Sequence, residues 1–169
     1  MRLDLERCAV RSCRETDAAE LARYANNRQE WLQLRDRFPH PYRVEDAHEF
    51  IAFAQSTTPQ TAFAVTVADV PVGAIGVMRR NAVERGAAEV GYWIDEPHWG
   101  RGIASCALVG CTRFAFVAYE LERLCAVPFA SNIASCRVLE KPGYVFEGRM
   151  RRSAIKDGAV QDQLLYAVL

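Results

Sequence analysis

The densest chemical signal lies between Glu89 and Ala104. A strand-like run, Glu89 to Ile94, passes through Asp95-Glu96-Pro97-His98 into Trp99-Gly100-Arg101-Gly102-Ile103-Ala104, which opens a long apolar segment. Gly100, Gly102 and Ala104 are small enough for an anion to approach the backbone closely. The free amides and positive dipole end of a helix starting there would attract it, and Arg101 adds a positive side chain. The pattern predicts a phosphate or pyrophosphate site. One form of such a site is the dinucleotide fingerprint, here Gly100-x-Gly102-x-x-Ser105 with Glu120 or Glu122 as the ribose-binding acid. The match is poor: the third glycine is missing, the loop sits too far from the preceding strand, and the acids come before the next strand rather than at its end. A second cluster, Asn132-x-x-Ser135, opens another helix-like run with two residue types that favour helix caps and also hydrogen-bond ligands.

These residues need a scaffold, and the chain's periodicities supply one. Leu5 to Arg14 reads as a first strand. Asp17-x-x-Glu20 has the form of a capping box opening a helix through about Asn26. A short helix over Arg28 to Asp36 ends before the prolines of Phe38-Pro39-His40-Pro41. Val44 to Gln55 carries Ala47, Phe50, Ile51 and Ala54 on one helical face. The period then changes to two: Phe63, Val65 and Val67 alternate as in a half-buried strand, Asp69-Val70-Pro71 turns, and Val72 to Met78 returns as the partner. Ala88 to Ile94 is the next strand. Ile103 to Tyr119 is apolar on several faces, which predicts a buried helix. Arg123 to Val127 reads as a short strand and Asn132 to Lys141 as a helix stopped by Pro142-Gly143. Tyr144 to Arg151 and Val160 to Val168 are strands joined at Lys156-Asp157-Gly158. Three consecutive strands ahead of the central helix do not suit a doubly wound sheet. They predict an α/β (α+β) domain with a mixed, mostly antiparallel sheet.

Composition narrows the function. The chain's 169 residues are one domain's worth. Lys plus Arg and Asp plus Glu are both 21, so there is no global basic excess of the kind nucleic-acid binding needs. No run of ~18 apolar residues spans a membrane. The N-terminus mixes charge into every turn and lacks an apolar leader core, so the expectation is a cytoplasmic protein. The six cysteines, Cys8, Cys13, Cys106, Cys111, Cys125 and Cys136, form no C-x-x-C and no zinc spacing with histidine. They read as reduced, mostly core residues, and no metal site is expected. His40, His48 and His98 are isolated, and Arg149-Met150-Arg151-Arg152 reads as a solvated strand face.

Taken together, two segments resemble the GNAT N-acetyltransferases, and in particular their RimJ/RimL-like branch. Trp99 to Ala104 is similar to the acyl-CoA-binding pattern Gln/Arg-x-x-Gly-x-Gly/Ala, with Trp99 in the first place. Asn132-Ile133-Ala134-Ser135-Cys136-Arg137-Val138-Leu139-Glu140-Lys141-Pro142-Gly143-Tyr144-Val145-Phe146-Glu147-Gly148 resembles the branch's second motif at its usual separation. Asn26-Asn27-Arg28 and Leu34 to Tyr42 add to the likeness, which covers nearly the whole chain. Pro142 departs from the pattern and should end the last helix early.

The resemblance implies one GNAT domain over residues 1–169 that transfers acetyl from acetyl-CoA, as cosubstrate, to a primary amine. The acceptor would be a protein N-terminus or a small molecule, and a homodimer is compatible with the branch. Glu89 is implied as the base, directly or through water; the alternative is a strand-end carboxylate in a salt bridge. A strand bulge at Gly91 would free amides of Tyr92 or Trp93 for the thioester oxygen, with plain sheet packing as the alternative for both side chains. Ser135, then Tyr144, would hydrogen-bond the leaving thiol. Asn132 would meet pantetheine, unless it and Ser135 only cap a helix. Tyr92, Trp93, Ile94, Trp99, Gly100, Arg101, Gly102, Ile103, Ala104, Asn132, Ser135 and Arg137 form the implied cofactor contact set.

Overall fold

The computed structural model describes residues 1–169. Its centre is one eight-stranded sheet in the order β1-β2-β3-β4-β5-β6-β8-β7. The strands are β1 Arg2–Asp4, β2 Ala9–Arg11, β3 Ala62–Val67, β4 Val70–Arg79, β5 Ala87–Ile94, β6 Arg123–Ala126, β7 Val145–Lys156 and β8 Ala159–Val168. The helices are α1 Ala18–Ala25, α2 Arg28–Trp31, α3 Val44–Ser56, α4 Ile103–Tyr119 and α5 Ile133–Glu140. Every neighbouring pair is antiparallel except β5 and β6. The mixed, mostly antiparallel sheet is therefore as the order of elements predicts.

Alternation along the strands makes two cores. Phe63, Val65, Ile75, Val77, Ala88, Val90 and Ile94 face α4 and its Ile103, Ala107, Leu108, Cys111 and Ala115. Ala62, Ala64, Ala74 and Trp93 point the other way, onto Leu21, Ala25, Ala47, Ile51 and Ala54 of α1 and α3. The period of two sends neighbouring residues to opposite layers. Alanines on the second face let α1 and α3 lie close to the sheet.

Several boundaries differ from the sequence expectation. Leu5 to Arg14 is not one strand: β1 and β2 are a hairpin, paired Arg2 with Arg11 and Asp4 with Ala9. Asp17 does not cap α1. Its buried carboxylate accepts from the Arg14 amide at 2.8 Å and pairs with the Arg11 guanidinium at 2.8 Å. Asp17 thus closes a box one turn earlier, at the short turn Glu15–Asp17, and also pairs with Arg11. The second helix is a single turn, α2, whose cap Asn27 accepts from the Gln29 amide at 2.8 Å. The β3–β4 turn is Ala68-Asp69, both at positive φ, so Val70 and Pro71 already belong to β4. As Pro142 requires, α5 ends at Glu140. All six cysteines are unpaired, and only Cys106 is not fully buried. No helix is long and apolar enough to cross a membrane.

Candidate active site

The parallel pair β5–β6 is joined only over Ala87–Glu89 against Arg123–Cys125. Beyond Glu89, β5 continues to Ile94 with no partner on that side, and the sheet opens into a V. The sequence expectation of a bulge at Gly91 is not met. Gly91 pairs regularly with Gly76, and the β4–β5 register runs unbroken. It is β6 that turns away. The Asp95 amide bonds to the Val72 carbonyl at 2.9 Å. In an antiparallel ladder every second residue turns the same way, so the amides of Gly91 and Trp93 also face β4. Those of Tyr92 and Ile94 therefore lie on the open edge, and the Trp93 amide is not available to a ligand.

A cavity of about 1410 Å³ fills the V and extends across β4 and β5 to α2 and α3. That exceeds the ~300–1,000 Å³ of common small-molecule sites and leaves room for a long ligand and a second reactant. One end is the turn before α4. Gly100 and Gly102 have φ of 71° and 75°, a conformation open to glycine at little cost. Gly102 caps the 17-residue α4 without any side-chain bond to its first turn, so the amides there stay free for an anion. Arg7 crosses above this turn, its Cδ 3.3 Å from where a Gly102 Cβ would stand. Sequence reading missed Arg7, because its position depends on the β1–β2 hairpin. The Trp99 indole N–H donates to the Ile94 carbonyl at 2.5 Å, tying the turn to the end of β5. Arg101 points to solvent and is absent from the cavity wall.

The opposite wall is α5. The Asn132 side chain accepts the Ser135 amide at 3.0 Å, as a cap does, and Ser135 Oγ lies 2.9 Å from the Tyr92 hydroxyl. Both hydroxyls face the V between turn and strand opening. The Tyr92 side chain is thus more than sheet packing, and burial pushes its phenol up to about 12. Arg137 and Lys141 also border the cavity. Tyr144, expected as the second hydroxyl, is not brought there. It is buried between α4 and α5, and its hydroxyl bonds to Thr112 Oγ1 at 2.9 Å.

The far half of the cavity is walled by Leu34, Phe38, Phe50, Phe53 and Trp93. Glu89 enters it at the apex of the V, where β5 and β6 part, and is paired there with Arg35. A strap holds this side closed. Lys156 Nζ lies 2.9 Å from Asp36 and 3.8 Å from the centre of the Trp31 ring, and Arg28 meets Asp157 at 2.5 Å. The β7–β8 tip is thereby fastened to α2 beside Arg35.

Residues 7–145 match the family model described as the acetyltransferase (GNAT) domain. The chain belongs to the GNAT acetyltransferase family. Its curated GNAT relatives include the uncharacterised N-acetyltransferase YoaA of Bacillus subtilis, 35% identical over 98 residues, 58% of this chain and 55% of that one. The ribosomal-protein-serine acetyltransferase of Escherichia coli is 35% identical over 95 residues, 55% of this chain and 53% of that one. These matches span only about half the length of each relative. Among solved GNAT-like structures, Mycobacterium smegmatis RimJ in complex with CoA-disulfide superposes with a TM-score of 0.84 at 24% identity, covering 99% of this chain and 87% of that one. That likeness concerns the fold.

One polar residue in this GNAT cavity was invisible to sequence reading. Glu30, in α2, is only 6% exposed yet borders the cavity. Burial, then the charges of Asp95 and Glu96, raise its carboxyl to about 8. This predicts a stability signature. Below pH ~4.5 the group is protonated whether folded or not, and costs nothing. Between pH ~4.5 and ~8 the unfolded chain gives up the proton and the folded chain keeps it, so stability falls with rising pH by up to ~1.4 kcal/mol per unit. Glu30→Gln should therefore raise the Tm of the protein at pH 8–9 and leave it unchanged near pH 4. Melting curves across that range check this, and equal pH profiles for the two proteins would refute it.

Proposed function

We propose that residues 1–169 act as one N-acetyltransferase domain moving an acetyl group from acetyl-CoA to a primary amine by direct attack in a ternary complex. The observation that carries the reading is the V between β5 and β6, open between an anion-receptive helix start and a hydroxyl pair. Acetyl-CoA is long enough to need all three. Its pyrophosphate takes the amides of Gly102 to Ser105 with Arg7 above. Its pantetheine arm runs along the open edge of β5 as an added strand would. The thioester oxygen meets the free edge amides, with Tyr92 the nearer to the V's apex. Ser135, backed by Tyr92, hydrogen-bonds the departing sulfur. The coenzyme A complex of the M. smegmatis protein of like fold supports the choice of ligand.

The acceptor enters through the far half of the cavity, towards Glu89. An ammonium group there replaces the Arg35 guanidinium on the Glu89 carboxylate, which takes its proton directly or through a water. The name of the E. coli relative, a ribosomal-protein-serine acetyltransferase, supports a protein acceptor. Chemistry favours its N-terminal α-amine: such an amine has a pKa of only ~7.7–8.0, and a carboxylate suffices as its base, whereas a lysine-like amine near ~10.4 asks more.

The test is release of free coenzyme A from acetyl-CoA with short peptides bearing free N-termini, the same peptides blocked but carrying lysine, and polyamines. Turnover confined to free N-termini is the expected result. Turnover of polyamines alone would overturn the acceptor assignment while keeping the transferase. No turnover with any amine, despite tight acetyl-CoA binding, would make the chain an acyl-CoA-binding module.

A further inference from the structure

Glu30 is only 6% exposed, no cation pairs with its carboxyl, and the residue borders the cavity. It sits at the seam where α2 meets the turn following β5. Asp95 and Glu96 lie near it on that turn, and the Tyr92 phenol feels its charge from β5. The neighbouring cations and donors are all committed elsewhere. His98 Nδ1 is 2.7 Å from Asp95 Oδ1, Asn27 Nδ2 is 2.7 Å from Glu96 Oε2, and Arg28 and Arg35 pair with Asp157 and Glu89. Arg101 acts on Asp95 from solvent, and the Trp99 indole, the one favourable neighbour of Glu30, donates its N–H to Ile94. Asp95 Oδ2 is itself buried without a partner. Three carboxyl groups thus crowd one seam, and the one that borders the cavity, Glu30, has no cation paired with it. The cheapest state of such a group carries a proton.

The seam's position gives that proton a use. Glu30 borders the same cavity as the Gly100–Ala104 turn and the Tyr92–Ser135 pair, with Trp99 ahead of the turn and Tyr92 of the pair among its neighbours. Resting on the acyl-CoA reading above, we propose that Glu30, as a neutral carboxylic acid, clasps an amide of the pantetheine arm, and that acyl-CoA loading therefore fails in alkaline solution. A neutral carboxyl has one O–H to donate and one carbonyl oxygen to accept with, so it complements a secondary amide on both sides. Ionised, it loses the donor and adds a negative charge beside a polyanion. The catalytic steps need no such group. Glu30 is a positioning residue that lets α2 report protonation to the cofactor site.

The experiment is calorimetric titration of acetyl-CoA, which has no free thiol to titrate, into the protein at pH 7, 8 and 9 without acceptor. With a midpoint near 8, and with only the protonated form competent, the Kd rises about tenfold from pH 7 to pH 9. Glu30→Gln keeps a donor and an acceptor but no ionisation. Its Kd should match the pH 7 wild-type value and stay flat to pH 9. Glu30→Ala should bind weakly at every pH. Asp95→Asn removes a charge that raises the Glu30 carboxyl, so its loss of affinity should set in at lower pH than in the wild type. A pH-independent wild-type Kd, or a Glu30→Gln variant with the wild-type slope, would overturn the clasp. Failure of the wild-type protein to bind acetyl-CoA at any pH would instead remove the acyl-CoA reading beneath it.

Discussion

Gly102→Val should abolish measurable acetyl-CoA binding, with an expected loss beyond a hundredfold. Two independent effects add. A Val Cβ would stand 3.3 Å from Arg7 Cδ, pushing away the guanidinium above the turn and filling the approach to the α4 amides. Each charge-assisted bond from a phosphate to those amides contributes ~1.5–3 kcal/mol, so losing two already exceeds a hundredfold. The second effect is conformational. Gly102 has a φ of 75°, where a β-branched residue costs ~1–3 kcal/mol, so the variant also melts several degrees lower. Gly158→Val separates the two effects. Gly158 has a φ of 76° with nothing within 4 Å of a added Cβ, and it lies at the β7–β8 tip, away from the turn. It should lose comparable stability and keep acetyl-CoA affinity. If Gly102→Val binds acetyl-CoA as tightly as the parent while Gly158→Val shows the expected melting loss, the pyrophosphate does not rest on the α4 amides.

The turn was legible because its chemistry is local. Small residues at Gly100, Gly102 and Ala104, a following apolar run and a preceding strand fix a helix start whichever way the rest of the chain packs. The same holds for Asn132 and Ser135, whose cap is made within three residues. Residues whose roles come from distant partners were not legible. Arg7 reaches the turn only because β1 and β2 form a hairpin that brings them beside α4. Arg35 meets Glu89, and Lys156 meets Asp36, across 54 and 120 residues of chain. Glu30 reads in sequence as an ordinary helix-surface acid, and only the packing of α2 on the turn after β5 buries it. Tyr144 erred in the opposite direction. Its place in the motif is sound, but Pro142 ends α5 at Glu140, and the chain then turns through Gly143, at a φ of 92°, to put the ring into the core. The bulge expected at Gly91 failed because an opening in a sheet needs only one strand to leave, and here β6 leaves.

Ser135→Ala should lower turnover about ten- to a hundredfold while changing acetyl-CoA affinity little. The size follows from what the leaving group needs. A thiol of pKa ~8.5 departs readily as the thiolate. Tyr92, pushed up to about 12, holds its proton more tightly than that thiolate would. Net transfer from the phenol is therefore uphill, and in the proposed reaction the pair would act by donating a hydrogen bond to sulfur as negative charge grows on it. Hydrogen bonds to charged groups contribute ~1.5–3 kcal/mol, and this one is weak to the neutral thioester, so it is felt in the transition state more than in binding. Ser135 Oγ and the Tyr92 hydroxyl are 2.9 Å apart, and one must orient the other. Tyr92→Phe should then cost somewhat less than Ser135→Ala, and the double variant no more than Ser135→Ala alone, because the two residues act as a unit. Single-turnover rates and acetyl-CoA Kd values for the three variants make the comparison. Full activity in Ser135→Ala, or an acyl group trapped on Cys136, would replace direct transfer assisted by this hydroxyl pair with a different mechanism. Strict additivity of the two single losses would leave both hydroxyls active but uncoupled, contrary to the contact between them.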